Sequence, residues 1–108
     1  MKYDKLVRDR IPEILEQEGK HYTARMVENK EYEKYLIKKM QEETKEFQET
    51  PCLDEAADMY EVFKKILTQW DLRMTDVELV AHHKKELKGA FEYGIILEEV
   101  NEIGDIDQ

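Results

Sequence analysis

The sequence predicts an all-α fold, built from an antiparallel helical hairpin and a third packing helix, with a small two-stranded β element as an optional addition. Two observations lead to this prediction. Only four glycines and two prolines interrupt the 108 residues. Long stretches place apolar residues three or four positions apart, which is the period of an amphipathic helix. A chain of this size typically forms one domain, so we expect a single helical domain over residues 1–108 with a loose tail at about 99–108.

The first half of the chain divides into a short helix, an extended segment and a long helix. The short helix is expected over residues 9–18, with Pro12 in its first turn and Gly19 in place to end it. Residues 21–27 tolerate β structure and are too few for a helix with its own apolar face. A long helix then runs from about residue 29 or 30 to residue 48, because apolar residues recur there at helical spacing.

The second half begins with the other arm of the hairpin. Thr50 and Pro51 have the chemistry of a helix start, an N-cap hydroxyl followed by proline at the first helical position, and the helix is expected to reach Trp70. The short connection from residue 48 to Pro51 makes the two long helices antiparallel neighbours.

A third long helix follows from two further signals. The run Thr-Asp-Val-Glu at residues 75–78 matches the capping box, and Gly89 can end the helix that it begins. After it, residues 91–97 are rich in aromatic and β-branched side chains, which suits them to pair with residues 21–27 in the optional β element.

The charge distribution excludes several classes of function. The net charge is −9, and residues 41–61 hold eight acidic residues and one basic residue, Lys45. Such a chain repels a phosphate backbone, so duplex nucleic acid is not an expected partner. The longest apolar run, residues 94–97, is far too short for a membrane span, and the first residues lack the pattern of a secretory signal. With one cysteine and no membrane partner, the expected location is the cytoplasm.

The acidic block has an ordered arrangement. It contains Glu-Glu-x-x-Glu near the end of one predicted helix and Glu-x-x-Asp near the start of the next. Residues three apart share a helix face, so Glu43 lies with Glu46 and Glu55 with Asp58. In an antiparallel hairpin the two pairs lie level, and four carboxylates converge. Their repulsion favours protonation or a multivalent cation, and hard oxygen ligands select Mg²⁺ or Mn²⁺ rather than zinc.

A second interpretation of the acidic block remains open at this point. Glutamate-rich helices are common and usually present solvated faces. Against this, Glu43 falls on the same helical stripe as Leu36, Met40 and Phe47, where an apolar residue would otherwise be expected. The neighbouring alanines at 56 and 57 leave room for close helix approach.

The paired acidic motifs resemble the metal-binding signature of MazG-like all-α nucleoside triphosphate pyrophosphohydrolases. The run KLVRDRIPEI at residues 5–14 resembles the opening of the small phosphoribosyl-ATP pyrophosphohydrolase-like branch, and KKELKGAF at residues 84–91 resembles its closing segment. The family pattern commonly has two glycines and an arginine in that closing segment, whereas this chain has Lys88, Gly89 and Ala90. The resemblance covers most of residues 3–98.

The resemblance implies a MazG-like bundle that hydrolyses a nucleoside triphosphate between the α and β phosphates, giving the monophosphate and pyrophosphate. It implies Mg²⁺, with Mn²⁺ as a substitute, held by Glu43, Glu46, Glu55 and Asp58. Glu42 is the candidate for positioning or deprotonating the attacking water. Four basic residues are candidates for binding phosphate oxygens, namely Lys5, Arg8, Lys85 and Lys88. A helix carboxyl end complemented by bases explains Lys85 equally well.

Three alternatives for the function of the chain remain open. The expected role is cleaning of the nucleotide pool, but phosphoribosyl-ATP of histidine biosynthesis is a second candidate substrate. The third alternative is a non-enzymatic interaction module, in which a metal only stabilises the hairpin. Wide apolar helix faces, and the usual state of the resembling family, lead us to expect a homodimer or homotetramer.

Overall fold

The all-α prediction is confirmed by the computed structural model, which describes residues 3–101. Four helices follow one another in this part of the chain: α1 (Ile11–Gln17), α2 (Asn29–Glu49), α3 (Leu53–Gln69) and α4 (Met74–Lys88). Residues 3–101 contain no β-strand. Among the described residues, no helix combines the length and the apolar character that crossing a bilayer requires.

Helix α1 is shorter than predicted, by two residues at its start and one at its end. Pro12 lies in its first turn, where the missing amide hydrogen costs no helical hydrogen bond. Gly19 has a φ of +71°, a left-handed conformation that glycine adopts without strain. The next residue, Lys20, donates its backbone N–H to the Leu15 carbonyl oxygen at 2.9 Å, and this bond ends the helix as the sequence predicts.

Helices α2 and α3 pack against each other as the expected antiparallel hairpin. Gln69 at the end of α3 donates to Glu33 at the start of α2 over 3.4 Å, whereas Asp58 approaches Glu43 nearer the turn. This reversed order of partners defines the antiparallel register. Leu36 and Leu67 are the buried apolar side chains of the described residues, at 1% and 6% exposure.

The start of α3 differs from the prediction. Cys52, with an extended backbone (φ −157°), is the N-cap of α3, and no side-chain hydrogen bond caps the helix. Thr50 instead closes α2, because its backbone N–H donates to the Glu46 carbonyl oxygen at 2.9 Å. Helix α2 continues one residue beyond the predicted end, so Thr50 is already used and Pro51 turns the corner.

The chain divides into two compact units, residues 1–74 and residues 75–108. The second unit holds nearly all of α4, which begins at Met74, so Thr75 lies inside the helix and is not its N-cap as predicted. Gly89 follows the helix with a φ of +83°, in agreement with its predicted role. One domain over residues 1–108 stays a prediction, and the predicted tail lies mostly outside the described residues.

The optional β element does not form. Residues 21–27 and 91–98 contain no strand. Nearly every side chain in both segments is exposed, including Met26 and Phe91 at 99% each. A lone pair of strands is marginal in water unless one face packs against a core, and neither segment has such a face.

Candidate metal centre

Three carboxylates from the two arms of the hairpin meet at one point. Glu43 extends from α2, and Glu55 and Asp58 extend from α3, one helical turn apart. One oxygen from each lies within 4.8 Å of the others. Glu43 is only 4% exposed, in agreement with its predicted position on the apolar stripe of α2. The short turn between α2 and α3 brings these residues level.

Two carboxylate oxygens in this cluster have no hydrogen-bond partner. Lys39 Nζ, one turn before Glu43 on α2, lies 3.0 Å from Glu43 Oε1. The second oxygen, Oε2, is buried without a partner among the described residues, and so is Oε2 of Glu55. A buried, unsatisfied acceptor costs about 1–3 kcal/mol, and more when it is charged. The cluster therefore offers strong acceptors to a ligand that can reach them.

The environment of Glu43 opposes its ionisation. Burial raises the pKa of the Glu43 carboxyl above its ordinary value, and the hydrogen bond from Lys39 acts in the opposite direction. The negative charges of Glu46 and Asp58 add to the upward shift of this pKa. A cation bound at the cluster would oppose this upward shift of the pKa, because it stabilises the ionised form.

Two of the predicted phosphate-binding residues lie on the acidic face of the hairpin. Lys5 Nζ is 3.0 Å from Glu42 Oε1, and the hydrogen bond to Glu42 raises the pKa of the lysine. Arg8 Nη2 is 2.7 Å from Asp58 Oδ1, a contact that raises the pKa of the guanidinium. The segment before α1 thus brings two positive charges to residues that are 37 and 50 positions away in sequence.

The remaining predicted site residues are placed less directly. Glu46 is outside the group of three carboxylates, although its charge contributes to the raised pKa values of both Glu43 and Lys5. Lys85 and Lys88 lie in the last turn of α4, in the second unit of the chain. Their predicted role in binding phosphate stays a prediction.

Lys39 is a residue of the site that the sequence analysis did not select. It contacts Glu43 at 3.0 Å and Glu42 at 3.6 Å, and its side chain is only 16% exposed. The signal was present in the sequence, since Lys39 and Glu43 have the four-residue spacing of a helical ion pair. Lys38 and Lys39 both precede the acidic block, and the spacing alone does not distinguish a buried ion pair from a surface charge.

The donor set fits a hard divalent cation. All three groups are carboxylates, and oxygen ligands bind Mg²⁺ or Mn²⁺ in preference to softer metals. Metal–oxygen bonds of about 2.0–2.6 Å place two opposite ligand oxygens roughly 4–5 Å apart. The three carboxylate oxygens lie within 4.8 Å of one another, so one cation can contact all of them. The two buried oxygens without partners are the second, independent observation in favour of a cation.

The comparisons with known proteins add no relative. No family model matches the sequence, and neither the curated proteins nor the solved structures include a significant match. An open concavity lined by Glu16 and residues 20–24 shares no residue with the three-carboxylate cluster. Chemical argument from the carboxylates and their cationic neighbours therefore carries the functional conclusion.

Proposed function

We propose that this chain is a Mg²⁺-dependent nucleoside triphosphate pyrophosphohydrolase that cleaves the α–β phosphate bond to give the monophosphate and pyrophosphate. The observation that carries the proposal is the cluster of Glu43, Glu55 and Asp58, with two buried carboxylate oxygens that lack partners. These residues belong to the two motifs that resemble the metal-binding signature of MazG-like enzymes. Mn²⁺, which has similar ligand preferences, is expected to replace Mg²⁺.

The cation would be held by Glu43, Glu55 and Asp58, with Glu46 as the fourth proposed ligand one turn after Glu43. When bound, it supplies positive charge for the phosphates and acidifies the attacking water. An acidic cluster repels a nucleotide, so this positive charge is also needed for the substrate to approach.

The chain's own residues have complementary tasks in this proposal. Glu42 would accept a proton from the attacking water, and its contacts with Lys5 and Lys39 hold it beside the cluster. Lys5 and Arg8 would bind phosphate oxygens, since the carboxylates cannot supply positive charge there. Lys85 and Lys88 of α4 stay sequence-based candidates for binding phosphate.

A second candidate function has its own supporting observation. Arg8 and Lys39 already pair with Asp58 and Glu43, so the protein compensates part of the acidic charge without a metal. The chain could then be a helical interaction module. This candidate accounts for the ion pairs, but it does not explain why one oxygen of Glu43 and one of Glu55 are buried without a hydrogen-bond partner. The enzyme is the better supported of the two.

We include self-association in the proposal, as a homodimer or homotetramer. Of the apolar side chains in residues 3–101, the structure buries only Leu36 and Leu67 completely enough to form a core. Large apolar side chains such as Tyr60 and Phe63 of α3, and Trp70 directly after it, remain between 37% and 55% exposed. Contiguous exposed apolar surface is typical of interfaces.

Turnover with a substrate panel tests the function. The purified chain is incubated with canonical and modified nucleoside triphosphates and with phosphoribosyl-ATP, in Mg²⁺, Mn²⁺ or chelator, and pyrophosphate and monophosphate are measured. Metal-dependent, equimolar release of both products is expected. The fastest substrate separates nucleotide-pool cleaning from histidine biosynthesis. No product from folded chain that still binds Mg²⁺ would favour the interaction module.

Variants of the cluster test the assignment of the ligands. Glu43→Gln and Asp58→Asn should each reduce turnover by about 100-fold or more, because loss of a ligand costs at least as much as loss of a supporting residue. Glu49→Gln is the matched control, since it removes an exposed carboxylate at the end of the same helix α2. Circular dichroism should show unchanged helicity in all three. Full activity in either cluster variant would contradict the assignment.

A further inference from the structure

The segment before α1 is held on the hairpin by side-chain charges. Lys5 contacts Glu42 on α2 at 3.0 Å, and Arg8 contacts Asp58 on α3 at 2.7 Å. The segment itself has no helix or strand over residues 3–10, which we call the strap. Lys5 and Arg8 are three residues apart and reach both arms of the hairpin. The position of the strap on the carboxylates thus depends on two exchangeable ion pairs.

The Arg8 contact uses a group that a divalent cation would also use. Asp58 belongs to the three-carboxylate cluster, and Arg8 occupies its Oδ1. A guanidinium and a metal ion are both attracted to the negative charge of the same carboxylate, and each weakens the binding of the other. By linkage, the effect is reciprocal: a metal that weakens the strap contact must itself bind less tightly because of the strap.

Exposure distinguishes Arg8 from the other cation in the cluster. The Arg8 side chain is 60% exposed and belongs to an irregular segment. Lys39 is 16% exposed and fixed on α2 by its own helix. Arg8 can leave its carboxylate for solvent at little cost, because an exposed ion pair contributes little to stability. Lys39 remains with Glu43 Oε1 and leaves Oε2 available.

We propose that the strap is a displaceable counter-ion for the metal centre, and that Arg8 serves two anions in turn. Without a cation, Arg8 neutralises Asp58. When a divalent cation binds the cluster, Arg8 leaves Asp58 and becomes available to the phosphate oxygens of an incoming ligand. This inference rests on the proposed function, since it requires the carboxylates to bind a cation. It adds that the strap opposes the metal and favours the phosphate ligand.

Opposite effects on two ligands are the signature of this exchange. Calorimetric titration with Mg²⁺ alone should show about two- to fivefold tighter binding in Arg8→Gln than in the unchanged chain, because a competitor of the strength of an exposed ion pair is lost. Titration with inorganic pyrophosphate at saturating Mg²⁺ should show about tenfold weaker binding, because a charged hydrogen bond to phosphate is lost. A merely structural arginine would weaken both.

Arg10→Gln is the matched control, since it removes the same charge two residues further along. Arg10 pairs with Glu13 in its own helical turn at 3.2 Å and has no contact with the cluster among the described hydrogen bonds and ion pairs. Both affinities should stay within about twofold of the unchanged chain. An equal effect in Arg10→Gln would show general charge repulsion rather than exchange, and would overturn the role of Arg8.

Exchange of the Arg8 guanidinium protons with water, followed by NMR, provides the direct measure of displacement. Mg²⁺ should accelerate this exchange in the unchanged chain, because the hydrogen bond to Asp58 is lost, and leave it unaltered in Glu43→Gln, whose cation site is impaired. If Mg²⁺ binds and the exchange of these protons does not increase, the strap is not displaced, and the inference fails while the metal site stands. If the unchanged chain binds no Mg²⁺, the proposed function fails and the inference fails with it.

Discussion

Glu43 combines a charge, a buried position and a short contact with only one of its two oxygens. At 4% exposure, the carboxylate has lost most of its hydration, and Lys39 at 3.0 Å returns part of that stabilisation. Partly compensated buried ions usually cost stability when compared with a neutral residue of the same shape. A residue with this cost in the centre of a hairpin is more easily explained by a ligand than by folding.

The pH dependence of stability follows from the direction of the Glu43 shift. Its folded-state pKa lies above the ordinary value of 4.5 because of burial. The folded state therefore binds the proton more tightly than the unfolded state does. Proton binding by Glu43 therefore adds to the free energy of unfolding. This stabilisation is fully present below pH 4.5 and is lost as the pH rises through the folded-state pKa of Glu43.

Urea unfolding in chelator between pH 4 and 8 measures this contribution, with the pH range chosen to bracket the value of 4.5. Relative to the Glu43→Gln variant, the unchanged chain should lose stability as the pH rises, because Gln has no proton to release. Glu49→Gln should follow the unchanged chain. Parallel profiles for the unchanged chain and Glu43→Gln would contradict the raised pKa.

Metal binding should reverse this cost. A ligand that binds only the folded state stabilises it by RT ln(1 + [L]/Kd), or about 2.7 kcal/mol at 100 times Kd. Near-saturating Mg²⁺ should accordingly raise the Tm of the unchanged chain, and chelator should restore the original value. Asp58→Asn should show little rise. Differential scanning fluorimetry is the measurement, and an equal rise in both proteins would place the cation elsewhere.

At the scale of single elements, the buried leucines show where the hairpin derives its stability. Leu36 is 1% exposed, whereas its neighbour Ile37, about 100° further around α2, is 43% exposed. Leu36→Ala should reduce the free energy of unfolding by about 2–5 kcal/mol, because it removes buried methyl groups and leaves a cavity. Ile37→Ala should cost less than about 1 kcal/mol. Chemical denaturation of both variants tests the difference, and equal losses would contradict the packing of α2.

The start of α3 offers a stabilising substitution. Cys52 has the extended backbone of an N-cap, but its side chain makes no capping hydrogen bond. Serine is close in size, and its hydroxyl oxygen accepts a hydrogen bond from an amide of the first turn. Cys52→Ser should therefore raise the free energy of unfolding by about 0.5–1 kcal/mol, and Cys52→Ala should not. Thermal unfolding of both variants compares them. Equal midpoints would show that Cys52 is not the cap.

The elements also show what the sequence could predict. Periodic apolar residues and glycine stops located all four helices, and the short turn placed Glu43 opposite Glu55 and Asp58. The cap of α3 was missed because Thr50 carries the better capping side chain but is used to close α2. The Arg8 and Lys5 contacts join residues far apart in sequence, so no local pattern encodes them. Glu46 shares a face with Glu43, but sharing a face does not fix where a flexible side chain points.

At the scale of the whole molecule, the exposed apolar side chains are the feature that most needs explanation. In the second unit, Leu87, Phe91, Tyr93, Ile95 and Ile96 are all at least 80% exposed. Soluble chains seldom leave such side chains grouped in water, because burying a large aliphatic residue gains about 1.5–3 kcal/mol. We extend the proposal of self-association to this surface, which a second copy of the chain would cover.

Light scattering coupled to size exclusion tests that assignment. The unchanged chain should have the mass of at least two copies, where one copy is 13.0 kDa. The double variant Ile95→Lys with Ile96→Lys should shift the mass towards one copy, because buried unpaired charges oppose association. Glu98→Lys is the matched control: it also adds two positive charge units, but it replaces a residue that is already charged, so the assembly should persist.

A single-copy mass for the unchanged chain across a concentration series would contradict self-association. Equal dissociation of both variants would attribute the assembly to net charge rather than to the apolar surface.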